Sequence, residues 1–364
     1  MQFVLFYHSL VSDWNHGNAH FLRGVVSELI SLGHAVKVLE PASGWSSMNL
    51  RGQYGEAPLE AFHRAYPRLK SELYDLESLD FDAVLDGVDV VIVHEWNEPA
   101  LVKRIGDLRR GARFKLLFHD THHRAVSAPQ ELEAFDLSDY DGVLAFGEVL
   151  RRIYAERGWA ARAWTWHEAA DTRMFHPYDD VAKSLDLVWV GNWGDGERSQ
   201  ELQRFLLDPA KELQLRARIF GVRYPPEALA AVAQANIEYG GWVANFRVPS
   251  LFASARCTVH VPRRFYAERL PGIPTIRVFE ALACGIPLVC APWEDSESLF
   301  EPGQDFLVAR DGKQMREHLR LLQAEPDFAR SLAQHGFSTV RARHTCAHRA
   351  RELLSICARR MSHA

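Results

Sequence analysis

Residues 271–285, PGIPTIRVFEALACG, carry the strongest local pattern in the chain and are followed at once by an apolar run. The pattern predicts a loop, a short helix that begins near Thr275 and ends at Gly285, and then a buried strand. The free backbone N–H groups and positive dipole at the start of such a helix suit a phosphate. Arg277 adds a permanent charge, and Glu280, one turn into the helix, is placed to bind a vicinal diol such as a ribose. The stretch therefore predicts a nucleotide-diphosphate ligand.

The block RVFEALACGIPLV at 277–289, with SLFEPGQDFLVARD at 298–311, resembles the donor-binding region of GT-B glycosyltransferases of the family 4 type. Within that family, the block resembles most the CgeB-like (spore maturation protein) branch, whose members carry RxFEALACG. The usual family pattern is an acidic residue, seven others, and then a glutamate. Glu280 matches that glutamate, but Gly272 stands where the acidic residue is expected. The resemblance implies an α/β protein of the GT-B fold, with two Rossmann-like domains facing each other across a cleft.

Length and composition fit two domains. The chain has 364 residues, of which 47% are hydrophobic, which is enough to bury two sheets. The formal charge of −5 gives no general attraction to nucleic acid or to anionic membranes, so we expect no nucleic-acid partner and at most a peripheral membrane contact. The five cysteines are odd in number and form no CxxC pair, which indicates reduced thiols. The N-terminal MQFVLFYHSLVSDW has no basic region and predicts a first strand, so we expect a cytoplasmic protein.

Strand and helix patterns alternate along the chain, which is typical of parallel α/β sheets. The apolar runs predict a first set of strands at 2–7, 35–39, 88–94, 114–118 and 142–145, and a second set at 185–190, 217–220, 258–261 and 286–290. Residues 45–80 are expected to be helical or irregular. We predict an acceptor-side domain at 1–175, a nucleotide-sugar domain at 176–345, and a C-terminal helix at 346–364 that braces the first domain.

Two loops after predicted strands are candidates for donor contacts. The loop 191–198, GNWGDGER, places glycines and a basic residue at a strand end, where the turn can wrap phosphate oxygens. An ordinary structural turn is the alternative for this loop. The loop 8–18, HSLVSDWNHGN, reaches the donor in the GT-B arrangement, and Gly17 would allow close backbone approach. Its alternative is an ordinary loop with Asn18 as a helix cap.

The string HDTHH at 119–123 follows another predicted strand. Imidazole and carboxylate groups suit zinc or iron, but adjacent positions on a turning loop rarely converge on one ion. The resemblance assigns His119 to the sugar side of the donor. His94, Glu95 and Trp96 follow a neighbouring strand and are candidates for the acceptor side, because indoles stack on sugars and carboxylates hold hydroxyls.

Two further motifs, one absent and one present, bear on other enzyme classes and on metal binding. The spacing G-x-G-x-x-G is absent after the first strand, which argues against a nicotinamide or flavin enzyme. Asp80 and Asp82 spell D-x-D, the metal-binding string of the other large glycosyltransferase fold, but they precede a linker and not a sheet-end loop. We therefore expect no metal ion and no cofactor beyond the donor.

These observations and the resemblance predict a nucleotide-sugar-dependent, metal-independent hexosyltransferase with an unidentified acceptor that is a saccharide, a lipid-linked group or a small molecule. The resemblance implies that the transfer retains the anomeric configuration. The expected catalytic residues are His119, Arg277 and Glu280. The expected donor-binding residues are Gly17, Gly191, Asn192, Trp193, Arg198, Pro274, Thr275, Ile276, Arg277 and Glu280. A non-catalytic nucleotide-sugar-binding protein and a GT-B nucleotide-sugar epimerase are the alternatives.

Overall fold

The computed structural model describes residues 1–178 and 180–358, and it divides into two compact units. Unit 1 contains Met1–Glu168 and the C-terminal segment from Cys346, and unit 2 contains Ala169–Thr345. The sequence places the first boundary at 175/176, whereas the units divide at 168/169. The reason is that the Ala170 N–H donates to the His344 carbonyl (2.9 Å), which ties the intervening segment to unit 2.

Unit 1 contains, within its described residues, one seven-stranded parallel sheet of order β3-β2-β1-β4-β5-β6-β7. Continuous apolar runs such as VVIVH in the fourth strand explain why the central strands are buried on both faces. The strands are β1 (Gln2–Phe6), β2 (Ala35–Pro41), β3 (Glu72–Tyr74), β4 (Val90–His94), β5 (Lys115–Asp120), β6 (Gly142–Ala145) and β7 (Ala163–Thr165).

Helices connect these strands as the parallel pairing requires. They are α1 (Ala19–Ser31), α2 (Trp45–Tyr54), α3 (Ala57–Ala65), α4 (Phe81–Leu85), α5 (Pro99–Arg109), α6 (Arg124–Ser127), α7 (Pro129–Glu133) and α8 (Glu148–Arg157). The register of β4 with β5 pairs His94 with His119, so both histidines end at the same edge of the sheet.

Unit 2 contains, as far as the structure describes it, a six-stranded parallel sheet of order β10-β9-β8-β11-β12-β13. The strands are β8 (Leu185–Val190), β9 (Ala217–Phe220), β10 (Glu238–Tyr239), β11 (Ala255–His260), β12 (Leu288–Cys290) and β13 (Leu307–Val308). The helices are α9 (Ser199–Leu202), α10 (Asp208–Glu212), α11 (Pro226–Gln234), α12 (Val248–Ser254), α13 (Arg264–Glu268), α14 (Ile276–Ala283), α15 (Gly312–Ala324) and α16 (Pro326–Arg343), with a π-helical turn at Gln203–Leu207 and a 3-10 turn at Asn245–Arg247.

The last helix, α17 (Cys346–Ala358), packs against α1 within unit 1. The remainder of the predicted C-terminal segment, residues 359–364, lies outside the described residues, as does residue 179 of the predicted second domain. None of the helices in the described part of the chain is both long enough and apolar enough to cross a bilayer.

Four short strands differ from the sequence-based expectation. β3 lies inside the region 45–80 that was expected to be helical or irregular, and β7, β10 and β13 were not predicted. Each of these strands has only two or three residues, so it offers no apolar run or alternation long enough to recognise.

Candidate functional site

Unit 2 presents polar groups where its strand order reverses, between β8 and β11. Open α/β sheets bind ligands beyond the carboxyl ends of their strands at such a point. The loop 191–198 follows β8, and Val261 follows β11. The Arg198 guanidinium joins the two, because its Nη atoms donate to the backbone oxygens of Asn192 and Val261, each at 2.5 Å. The predicted loop and its arginine therefore lie at the reversal point.

Arg198 is an inward-facing cation with an unused donor. Its Nη bonds go to backbone oxygens, and in the described part of the chain its Nε is buried without a hydrogen-bond partner. Burial is the main cause that lowers the pKa of Arg198 to about 10, and the neighbouring charges of Arg263 and Arg277 contribute in the same direction. The group still carries its charge at neutral pH. A buried cation with a spare donor favours an anionic ligand.

The start of α14 lies beside this loop. Thr275 has an extended backbone and its side chain makes no capping hydrogen bond to the helix; instead its Oγ1 is 3.0 Å from Nε2 of His260 at the end of β11. The first N–H groups of α14 are thus not capped by Thr275 and point out of the helix end. Ile276 is 6% exposed, so its side chain offers little surface to a ligand. Donor contact by Pro274, Thr275 and Ile276 stays a prediction.

His260 is a residue that the sequence analysis missed. Burial lowers its pKa to about 3, and the charges of Arg198 and Arg277 act in the same direction, so the imidazole is neutral. Its Nδ1 atom is buried without a hydrogen-bond partner among the described residues. The signal that could have revealed it is its position as the last residue of an apolar strand.

Glu280 is fully buried and fixes its neighbours. Its Oε1 accepts a hydrogen bond from Asn245 Nδ2 at 2.7 Å, and its Oε2 accepts one from Arg277 Nη1. The Arg277 side chain remains 27% exposed, so the ion pair holds a guanidinium that solvent or a ligand can reach. The sequence pattern predicts that this carboxylate binds the ribose hydroxyls. That role of Glu280 stays a prediction.

The loop after β8 is closely packed. A Cβ on Gly191 would lie 2.7 Å from the ring of Trp189, so glycine is needed there. The side chain of Asn192 accepts a hydrogen bond from the Val222 N–H at 2.9 Å, which joins the loop to the residues after β9. The Trp193 indole lies in the hydrophobic core of unit 2. Any contact between Trp193 and the donor would therefore be made by the Trp193 backbone, and that contact stays a prediction.

Gly272 departs from the family pattern for a structural reason. Its φ is +88°, a left-handed conformation that a side chain disfavours. A Cβ at this position would lie 2.6 Å from Ser296 Oγ and 3.1 Å from Glu297 Oε1. A carboxylate from the loop after β12 therefore lies next to the place where the family pattern expects an acidic side chain.

His119 lies at the carboxyl edge of the sheet of unit 1, enclosed by aromatic rings. Its ring centroid is 5.2 Å from that of His94, 4.8 Å from that of Trp166 and 6.0 Å from that of Phe21. Burial lowers the pKa of His119 to about 3, and both ring nitrogens are buried with no hydrogen-bond partner in the described part of the chain. A neutral imidazole with two unused nitrogens is compatible with a ligand contact, and its catalytic role stays a prediction.

The expected acceptor-side residues differ in how many of their polar atoms already form hydrogen bonds within the protein. Glu95 is fully buried: its Oε1 accepts from the Thr121 N–H (2.9 Å) and its Oε2 from Arg124 Nη2 (2.7 Å). The Nε2 atom of His94 is 3.2 Å from Thr121 Oγ1. Trp96 is half-buried, with the Arg124 guanidinium 4.4 Å from its ring centroid. Glu95 thus holds the loop together, and of the three Trp96 is the one with an available surface.

Three smaller expectations concern unit 1. Gly17 lies in the turn before α1, and Asn18 occupies the N-cap position of that helix, although its side chain makes no capping hydrogen bond. Asp80 caps α4 by accepting from the Ala83 N–H at 3.0 Å. The side chains in HDTHH do not form a metal site: no group of three or more potential ligands is arranged to hold an ion in residues 1–178 and 180–358.

Comparison with known proteins agrees with this architecture. Residues 198–355 match the family model described as glycosyl transferase-like. No curated protein matches the chain by sequence.

Solved structures with similar folds span nearly the whole chain. Sucrose-phosphate synthase from Thermosynechococcus elongatus is 14% identical with a TM-score of 0.66, covering 98% of both chains. Alr3699/HepE from Anabaena, in complex with UDP, is 14% identical with a TM-score of 0.68, covering 98% of this chain and 99% of that one. An α-glucosyltransferase (AGT) in complex with UDP is 10% identical with a TM-score of 0.69, covering 99% of this chain and all of that one. The chain therefore has the GT-B fold, and its C-terminal part matches a glycosyltransferase-like sequence family.

Proposed function

We propose that the protein is a hexosyltransferase that moves a sugar from a nucleoside-diphosphate donor to an acceptor. The observation that carries the proposal is the Arg198 guanidinium, a buried cation with an unused Nε donor at the reversal point of the unit 2 sheet. The uncapped start of α14 adds N–H groups at the same edge. HepE and AGT, which share the fold, were solved with UDP, and this supports a uridine donor.

The chemistry of transfer suits these groups. The acceptor oxygen forms a bond to sugar C1 while the bond between C1 and the phosphate oxygen breaks, and the electron pair of the broken bond leaves with the diphosphate, which takes up the proton of the acceptor hydroxyl. The negative charge on the diphosphate therefore grows in the transition state. Arg198, Arg277 and the N–H groups of α14 stabilise that charge without having to reorganise. Glu280 holds Arg277 in position and binds the ribose, and His119 contacts the donor sugar. No cofactor beyond the donor is needed.

The stereochemical outcome belongs to the proposal as well. The resemblance of RVFEALACG to the family 4 type and its CgeB-like branch supports retention of configuration. Gly272 removes the acidic side chain expected there, which is the best argument for a non-catalytic binding protein. We propose that Glu297 supplies that carboxylate instead, because its Oε1 lies 3.1 Å from the Cβ position of residue 272.

The five cysteines are free thiols, four of them buried, which supports a cytoplasmic location. Unit 1 is proposed to bind the acceptor and unit 2 the donor.

The test is calorimetric titration of UDP into the wild type and the variant Arg198→Gln. Loss of a charge-assisted hydrogen bond typically costs about 1.5 to 3 kcal/mol, so UDP should bind roughly 10- to 150-fold more weakly. Arg198→Lys should fall between, since it keeps the charge but not the fork of donors. Arg330→Gln, which changes an exposed residue of the same unit, is the matched control and should bind UDP like the wild type.

Equal UDP affinity in the wild type and Arg198→Gln would contradict the proposed donor site. Hydrolysis of UDP-glucose without acceptor then separates an enzyme from a binding protein. If UDP binds but UDP-glucose and the other common nucleotide sugars are neither hydrolysed nor used in transfer, the binding-protein alternative replaces the enzyme.

A further inference from the structure

The sheet of unit 1 also reverses its strand order, between β1 and β4, and aromatic side chains gather there. His8 follows β1, Trp96 follows β4, and Trp45 opens α2. The ring centroid of His8 is 4.6 Å from that of Trp45 and 6.3 Å from that of Trp96. The two indoles are 6.4 Å apart and nearly perpendicular, at 73°. We call these three residues the aromatic corner.

The aromatic corner combines accessible apolar faces with an unmet hydrogen bond. Trp45 and Trp96 are half-buried, whereas His8 is 2% exposed. In the described part of the chain, His8 Nε2 is buried and has no hydrogen-bond partner. A buried polar atom without a partner is costly, so such an atom points to a bound water or to a ligand group.

The charges around the aromatic corner favour an uncharged ligand. The Arg124 guanidinium lies against Trp96 but is paired with the Glu95 carboxylate at 2.7 Å. The buried Glu40 carboxylate, which accepts a hydrogen bond from Ser9 Oγ in the residue after His8, adds no positive charge. An anionic ligand would thus find the Arg124 cation already neutralised. Burial lowers the pKa of His8 to about 4, so its imidazole is neutral near pH 7.

The shape of the aromatic corner favours a sugar over a flat aromatic ring. A planar ligand can stack on one indole but meets the second edge-on, and it brings few hydroxyls. A pyranose ring has C–H faces that pack on indoles and hydroxyls that can bond to an imidazole nitrogen. We propose that the aromatic corner binds an uncharged saccharide, and that this saccharide is the acceptor; the acceptor role, but not the binding, rests on the function proposed above.

This assignment differs from the one made on sequence. His94 and Glu95 were expected on the acceptor side, but their polar atoms already bond to Thr121 and Arg124. His8 was not a candidate, although it follows β1 at the reversal point and, in the described part of the chain, its Nε2 is buried without a hydrogen-bond partner. The aromatic corner retains Trp96 and replaces the other two residues by His8 and Trp45.

The test is a titration of tryptophan fluorescence with four neutral disaccharides: maltose, cellobiose, lactose and sucrose. Digalacturonate serves as an acidic counterpart and 4-nitrophenol as a planar aromatic probe. At least one neutral disaccharide should bind, and Trp45→Phe should weaken it about three- to tenfold through loss of stacking surface. His8→Asn should also weaken it. Trp159→Phe, which alters a half-buried indole elsewhere in unit 1, is the matched control and should leave binding unchanged.

Three results would overturn the proposal: none of the neutral disaccharides binds, 4-nitrophenol or digalacturonate binds more tightly than all of them, or Trp45→Phe and Trp159→Phe bind alike. Thermal unfolding of each variant shows whether the fold is kept, and Trp45→Phe is conservative enough to expect that it is. UDP titrations on the same samples keep the two proposals apart. If a saccharide binds but UDP does not, only the proposed donor site is contradicted. If UDP binds but no saccharide does, only the saccharide site at the aromatic corner is contradicted.

Discussion

The two units use the same sheet architecture for opposite electrostatic purposes. In each, the strand order reverses beside the first strand, between β1 and β4 in unit 1 and between β8 and β11 in unit 2. At that point unit 2 places Arg198 and Arg277, which are charged at every physiological pH. Unit 1 places histidines and indoles there. The fold provides the edge of the sheet, and the side chains decide whether that edge attracts an anion or an uncharged ligand.

The difference arises from how each residue type responds to burial. Removing a guanidinium from water lowers the pKa of Arg198 to about 10, which still leaves it charged. The same removal lowers the pKa of His8 to about 4 and that of His119 to about 3, which makes both neutral. Burial therefore leaves Arg198 charged and makes His8 and His119 neutral.

The largest expected effect is a difference in acid sensitivity. In unit 1, burial lowers the pKa values of His8, His16, His94 and His119, so each is neutral when folded and gains a proton on unfolding below about pH 6.5. The unfolded state then binds more protons, so stability is full above that pH and is lost as pH falls. Each histidine contributes about 1.4 kcal/mol per pH unit.

Asp120 acts in the opposite direction, because burial and the neighbouring Glu95 raise its pKa. The four buried histidines outnumber this one aspartate, so unit 1 should lose stability more steeply than unit 2 as the pH falls from 6.5 to 5. Unit 2 has His260, with a pKa of about 3, and should lose about 1.4 kcal/mol per pH unit. Hydrogen exchange read by mass spectrometry, corrected for intrinsic rates, follows each unit separately.

The variant His119→Phe sharpens this prediction. It removes one titrating group from unit 1, so the acid sensitivity of that unit should fall by about 1.4 kcal/mol per pH unit while unit 2 is unchanged. Equal protection loss in both units of the wild type between pH 6.5 and 5 would show that the buried histidines do not set the difference.

The comparison also shows what the sequence could predict. Long apolar runs and the signature at 271–285 gave the alternating elements, the two sheets and the helix that begins after Thr275, because these depend on neighbouring residues. His260 and Glu297 were missed because they reach the site from another strand and another loop, and only the position of His260 at the end of an apolar strand marks it locally. Glu95 was assigned to a ligand because the sequence does not reveal that Arg124 neutralises it.

An intermediate effect is expected at Gly272, where unit 2 needs both a left-handed backbone and space. Gly272→Ala should cost about 1 to 2 kcal/mol for the backbone, plus the contact with Ser296 Oγ, which lies 2.6 Å from the added Cβ. Gly303→Ala is the matched control, because Gly303 has a φ of +92° with no atom within 4 Å of the added Cβ. Denaturant unfolding of both variants measures the difference.

The variant Ser296→Ala separates the two contributions. Because Ser296→Ala removes the obstructing oxygen, the double variant Gly272→Ala/Ser296→Ala should regain the stability that Gly272→Ala loses through that contact. The remaining loss of stability should then equal the loss measured in Gly303→Ala. A double variant that is no more stable than Gly272→Ala would mean that Ser296 does not limit the site, and that the backbone conformation or the Glu297 side chain, whose Cγ lies 3.0 Å from the added Cβ, requires glycine.

The smallest expected effect concerns divalent cations, whose removal should leave the reaction rate unchanged. If the permanent charges of Arg198 and Arg277 stabilise the leaving diphosphate, transfer and donor hydrolysis should proceed at an unchanged rate in excess EDTA. The Asp80 carboxylate already caps α4, so D-x-D is not a free pair of ligands. Initial rates with and without EDTA, in the wild type and in Asp82→Asn, measure this directly. Loss of activity with chelator and its recovery with Mn²⁺ or Mg²⁺ would contradict the prediction. Loss of that recovery in Asp82→Asn would then assign the metal to unit 1, and the division between a charged unit 2 and a neutral unit 1 would fail.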